Sequence, residues 1–214
     1  MGSFVKTSQI ITSIFKNYKW HFSRDTKDIY LTFDDGPLAE TTPWVLKQLK
    51  KYNAKATFFC IGENVQKHAT LFNDIINEGH QVGNHTLNHL NGFKTKTSIY
   101  IENIEAAHNI LTGINPQFAN NKPLLFRPPY GKIRPKQAKI LREKGYEIIL
   151  WDVLSRDFDI KLKGKNCVEN VINNTQNGSI IVFHDSLKAS ERLYFTLPKI
   201  LEYYTERGYA FKTI

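Results

Sequence analysis

Cysteine is scarce in this chain: Cys60 and Cys167 are two among 214 residues. That is too few for a disulfide framework, so both are expected to be free thiols outside any metal-ligand pair. Cys60 sits inside an apolar run, where a thiol behaves as a small hydrophobe. No 18-residue apolar run is present, so no helix is expected to cross a membrane. Internal repeats, low-complexity tracts and linkers are missing too, which leaves one domain long enough to bury a real core. The early apolar stretch (Ile10, Ile11, Ile14, Phe15) is broken by Thr12 and Ser13, and no small-residue cleavage site follows it. No secretory signal is therefore visible, although Met1-Gly2-Ser3 resembles a cloning scar and leaves a removed leader open. Aromatic RNA-binding signatures are absent. Lysines such as Lys47, Lys94 and Lys161 are scattered, so the net charge of +9 reads as solvated surface rather than a nucleic-acid footprint.

What is present is an alternation of strand-like and helical patterns. The stretch 28–33 is β-branched and aromatic and stops at Asp34-Asp35-Gly36-Pro37, a turn signal. Thr42 as N-cap, Pro43 in the first turn and apolar Trp44, Val45, Leu46, Leu49 and Tyr52 predict a helix. Further strands are expected at 56–62, 80–84, 124–126, 147–151 and 180–183. Further helices are expected at 64–78 (Val65, Leu71, Ile75 and Ile76 inward), 96–111, 135–144, 167–174 and 193–206. Such alternation argues for an α/β protein with a parallel sheet, but periodicity does not separate a barrel from an open sheet.

Chemistry-bearing residues gather where these apolar runs end. His85 and His89 are four apart, so a helical turn would bring both imidazoles to one side. With one carboxylate they make a three-ligand set that leaves positions open for water and substrate, the pattern of a catalytic metal site.

In order, Thr32-Phe33-Asp34-Asp35-Gly36-Pro37, His85-Thr86-Leu87-Asn88-His89, Arg127-Pro128-Pro129-Tyr130-Gly131, Trp151-Asp152 through Asp157, and Val182-Phe183-His184-Asp185 resemble the motifs of the polysaccharide deacetylases. This family is also called carbohydrate esterase family four, or the NodB homology domain. The resemblance covers 27–214, with 1–26 as an N-terminal extension packing on the domain, and it implies a distorted (β/α) barrel with fewer than eight strands. It further implies that Asp35, His85 and His89 hold one divalent metal, zinc before cobalt, nickel or manganese. Asp34 would be the general base and His184 the general acid. Arg127 and Asp157 would support them, unless they form an ordinary buried ion pair. The Tyr130 backbone N–H would stabilise the oxyanion, in a loop stiffened by Pro128 and Pro129. Val182 and Phe158 would form the wall for the acetyl methyl, with Trp151 as wall or core.

Two departures stand out: Leu154 replaces a common acid and Phe158 a common tryptophan, which bears on substrate preference. Asp152 and Asp159 receive no role, and Asp185 either orients His184 or caps a turn. The expected activity is metal-dependent removal of N-acetyl groups from N-acetylhexosamine units of an acetylated glycan, peptidoglycan or chitin-like. An O-acetyl esterase on acetylated xylan and a silent glycan-binding domain are the alternatives. Without a leader the chain is cytoplasmic by sequence, while a cell-envelope substrate fits the chemistry.

Overall fold

The computed structural model describes residues 5–120 and 123–214, so Met1-Gly2-Ser3 lies outside the described residues. Seven parallel strands form a curved path in the order β5-β4-β3-β2-β1-β7-β6. They are β1 (Asp28–Asp34), β2 (Ala56–Cys60), β3 (Gln81–Asn84), β4 (Leu124–Phe126), β5 (Tyr146–Ile148), β6 (Val153–Leu154) and β7 (Ile180–His184). A two-residue β8 (Ala210–Phe211) lies off this path beside the start of β1. The fold is thus the distorted barrel with fewer than eight strands on its path. Its helices are α1 (Gln9–Ile14), α2 (Thr42–Lys51), α3 (Gly62–Lys67), α4 (Ala69–Asn77), α5 (Thr97–Ile114), α6 (Gln117–Asn120), α7 (Pro135–Glu143), α8 (Gly164–Ile172) and α9 (Ser190–Glu206). None is long and apolar enough to cross a membrane among the described residues. Both cysteines are free and buried.

Side chains alternate across a strand, and that period divides the sheet into two cores. Ile29, Leu31 and Phe33 of β1 and Ile181 and Phe183 of β7 join the larger cluster together with buried helix residues such as Val45, Leu49 and Leu197. Phe33 stacks between Phe58 and Phe183, with centroids 5.0 and 6.0 Å away. The opposite face carries the smaller cluster of Phe59, Leu125, Ile149 and Ile180. Thr32 and Asp34 on β1, and Val182 and His184 on β7, share this inner face by alternation. The parallel register sets Asp34 beside His184 at the strand ends. The period of two therefore delivers a carboxylate and an imidazole side by side at the mouth of the barrel.

Three expectations differ in detail. The helix expected over 64–78 is two helices, because His68 leaves helical geometry at φ −126°, ψ 48°. The restart turns the apolar stripe, so Phe72 with Ile75 takes the fully buried place and Leu71 is only partly buried. The strand expected over 147–151 ends at Ile148, although Ile149 N–H still donates to Phe126 O at 2.9 Å and Ile149 bridges to Lys19. Thr42 is not an N-cap: the helix begins at Thr42 and the Thr42 hydroxyl is diverted to Asp185. Residues 5–24 lie along the outer edges of β5 and β6. Leu154 N–H donates to Val5 O at 2.8 Å, Lys19 N–H to Ile148 O at 2.9 Å, and Arg24 pairs with buried Asp152 at 2.8 Å.

Candidate active site

β3 ends at Asn84, whose side chain accepts from Thr86 N–H and donates to Ile104 O, turning the chain out of the sheet. Thr86 (φ 68°) and His89 (φ 62°) are both left-handed, so 85–89 is a tight turn, not the helical turn that the spacing suggested. It brings the two imidazoles together all the same, 5.1 Å between centroids. Across from them Asp35, also left-handed at φ 83°, leaves the end of β1. Its Oδ1 lies 3.8 Å from His85 Nε2 and 3.4 Å from His89 Nε2.

These three residues offer ligand atoms all within 4.8 Å of one another. His85 Nδ1 donates to Arg127 O at 2.7 Å, because a carbonyl can only accept, and this leaves the Nε2 lone pair facing Asp35. His89 Nδ1 bonds the Tyr130 hydroxyl at 3.1 Å. Burial, with His89 adding to it and Asp34 opposing, pulls His85 down to about 4, so its ring is neutral, the ligating form. Asp35 Oδ1 is buried and has no hydrogen-bond partner among the described residues. Such an orphan is costly unless something electropositive meets it. Two ligands at bond lengths of about 2.0–2.2 Å on a tetrahedral ion stand roughly 3.4 Å apart. The donor set fits a divalent cation.

Two ion pairs flank this group. Arg127 is fully buried; its Nη1 donates to Asp34 Oδ1 at 2.7 Å and to Thr32 Oγ1 at 2.6 Å, and its other nitrogens reach Ile149 O and Leu150 O. The guanidinium carbon sits 4.1 Å from the centroid of Phe59 and 5.7 Å from that of Trp151, a stacked and fixed cation. Burial works to raise the Asp34 carboxyl, but Arg127, with His85 and His184 behind it, outweighs burial and holds it below the ordinary range. On the other flank buried Asp157 receives His184 Nδ1 at 2.7 Å and His184 N–H at 2.8 Å. Burial works to lower His184, but the charge and hydrogen bond of Asp157 win and push it up to about 9. Arg127 and Asp157 thus take different partners rather than each other.

The expected walls divide. Tyr130 (φ 61°) is exposed on a 3₁₀ turn over Pro129–Gly131, with Pro129 buried beneath it. Trp151 is half-buried and supports that loop: a Cβ on Gly131 would lie 3.0 Å from its ring. The ring of Phe158 stands edge-on to His184 at 5.1 Å. Val182 is 1% exposed, two residues before His184 on the same strand face. Asp152 belongs to Arg24 and Ser179, and Asp159 to Arg156, both away from the three-residue group. Sequence reasoning assigned nothing to Thr32 or Phe59. Thr32 carried a signal, since it shares the strand face of Asp34, whereas nothing local links Phe59 to Arg127. Asp185 does not orient His184; it caps the loop after β1, and burial, with the Thr42 hydrogen bond opposing, pushes it up to about 7.

Comparison with known proteins agrees with this geometry. Residues 22–149 match the family model for polysaccharide deacetylase. The chain is 37% identical over 199 residues to a peptidoglycan-N-acetylglucosamine deacetylase of Bacillus cereus, covering 91% of this chain and 90% of that protein. Other curated relatives are longer, and the chain spans 38–61% of several of them. The fold superposes on the crystal structure of the Bc1960 peptidoglycan N-acetylglucosamine deacetylase with a TM-score of 0.88 at 33% identity, over 97% of this chain and 95% of that one. A pseudoenzyme from Bacillus anthracis shares the fold at TM-score 0.79 and 24% identity, over 91% of this chain and 66% of that one. Barrel, motif order and these matches agree: the chain belongs to the polysaccharide deacetylase family.

Proposed function

We propose that this protein is a metal-dependent deacetylase that removes N-acetyl groups from N-acetylhexosamine units of a glycan such as peptidoglycan, with 27–214 as the catalytic domain. The observation that carries this reading is the orphaned Asp35 Oδ1 facing the Nε2 atoms of two imidazoles, with a carboxylate–arginine pair on one side and a carboxylate–imidazole pair on the other. A divalent cation held by Asp35, His85 and His89 supplies Lewis acidity, making water nucleophilic near neutral pH and polarising the acyl oxygen. Zinc suits two nitrogens and one carboxylate best.

The rest is done by the chain itself. Asp34, kept ionised by Arg127, takes the proton from the attacking water. The Tyr130 backbone N–H, on its left-handed turn, donates to the developing oxyanion. His184 is protonated through Asp157 and gives its Nε2 proton to the amine, which leaves poorly as an anion. Phe158 beside His184 closes an apolar side against the acetyl methyl. All the residues with these roles are retained, which distinguishes the reading from a silent glycan-binding domain.

The test is acetate release from N-acetylglucosamine oligomers, peptidoglycan and acetylated xylan, using metal-stripped protein with zinc or cobalt added back. Release from the N-acetylated substrates that depends on added metal is expected. Preference for acetylated xylan would move the reading to an O-acetyl esterase, and binding without release at saturating metal to a silent domain.

A further inference from the structure

Asp185 follows His184 in sequence, yet its side chain points away from the site, into the back of the loop that follows β1, and it is fully buried. Its Oδ1 accepts Gly36 N–H at 3.0 Å and its Oδ2 accepts the Thr42 hydroxyl at 2.6 Å; that hydroxyl in turn accepts Leu38 N–H at 2.9 Å. The backbone takes part as well. Asp185 N–H donates to Asp34 O at 3.1 Å, and Asp185 O accepts the Thr41 hydroxyl at 2.6 Å. One residue therefore grips the segment 34–42 on both sides of Asp35. The fit is tight, since a Cβ on Gly36 would lie 2.1 Å from Asp185 Oδ2.

Asp35 needs such a grip. It holds φ 83°, a conformation that an L-residue keeps only where its surroundings over-determine it. Asn64 fixes the Asp35 carbonyl at 2.7 Å, and Ile61 N–H fixes that of Gly36 at 3.0 Å. On the amide side, the Gly36 N–H has Asp185. Remove that carboxylate and Gly36, the residue freest to change its backbone, loses its anchor next to a strained Asp35.

We infer that Asp185 is a positioning residue for Asp35: through Gly36 and Thr42 it holds the Asp35 carboxylate in its set toward His85 and His89. This rests on the reading of those three residues as a metal site. Outer partners of ligands typically change metal affinity by about 10–100-fold when removed.

The experiment uses the full chain, stripped of metal, with cobalt(II) as probe. Affinity is read by competition with a chromophoric chelator and geometry from the visible absorption of the bound ion. Asp185→Ala is expected to weaken cobalt binding by about 10–100-fold and to alter the spectrum. Asp185→Asn, which keeps an acceptor for Gly36 N–H, is expected to recover much of both. Thr42→Val keeps the shape and removes only the hydroxyl, so it folds even where Asp185→Ala does not, with a smaller change in the same direction. Leu201→Ala, a buried truncation on α9, is the control for stability alone and leaves affinity and spectrum unchanged. Unaltered affinity and spectrum in folded Asp185→Ala or Thr42→Val would overturn the inference, as would an equal loss in Leu201→Ala. Failure of the unaltered chain to bind cobalt would overturn the metal reading itself and this inference with it.

Discussion

On one flank of the site Asp34 meets Arg127 at 2.7 Å; on the other Asp157 meets His184 at the same distance. Each is a carboxylate beside a cation inside the same barrel mouth, and the shifts run to opposite uses. Arg127 cannot lose its proton and is wedged between Phe59 and Trp151, so the only group there free to exchange a proton is Asp34, held ionised. On the other flank the cation is itself the titrating group. Asp157, sealed from water, does the holding, and His184, 15% exposed, carries the proton. On the proposed reading, the identity of the cation, rather than the presence of an ion pair, decides which flank accepts a proton and which donates one.

Breaking the first flank at the carboxylate has the largest expected effect. Asp34→Asn keeps the shape and a partner for Arg127 but removes the base, so kcat for acetate release falls by about 10²–10⁴-fold in a folded protein. Arg127→Met leaves Asp34 buried without its cation. Chemical denaturation is expected to show a loss of about 3–5 kcal/mol, and a loss well under 1 kcal/mol would mean that Asp34 is solvated after all. Thr32→Val is milder: it strips one acceptor from Arg127 and one donor from Ile181 O, costing about 1–3 kcal/mol, with the proton roles of both flanks unchanged.

Much of this was legible in the sequence, and the gaps have physical causes. Strands such as β1, β2, β4 and β7 are buried apolar runs, so composition revealed them, whereas two-residue β6 and β8 exist only through their neighbours. The break at His68 carries no proline or glycine and leaves no local mark. At the site, local rules fail in a consistent way. Thr86 and Tyr130 occupy left-handed geometry that sequence reading reserves for glycine, asparagine, aspartate or histidine, and Asp35 and His89, though of such types, carry no local mark of it; tertiary contacts hold all four there. Pair assignments were also out of reach. Arg127 finds Asp34 across 93 residues and His184 finds Asp157 across 27, and no periodicity encodes which cation meets which acid.

The contrast between flanks has its most direct test in the pH dependence of kcat/KM for the unaltered protein and for Asp157→Asn, both loaded with zinc. As the proposed proton donor His184 must be protonated to act, so activity is expected to fall as pH rises through its pKa. Burial works to lower that value, but Asp157 raises it from 6.5 to about 9, and a nearby cation lowers it by repulsion. The same raised value contributes stability present below pH 6.5 and lost as pH rises through about 9. With Asp157→Asn the largest raising influence goes, while burial and the smaller pull of Asp35 and Asp34 remain, so the alkaline limb moves to lower pH while the acid limb, set on the Asp34 side, stays in place. An alkaline limb that does not move, or an acid limb that moves instead, would contradict the assignment of His184 as the proton donor and of Asp157 as the residue that keeps it charged.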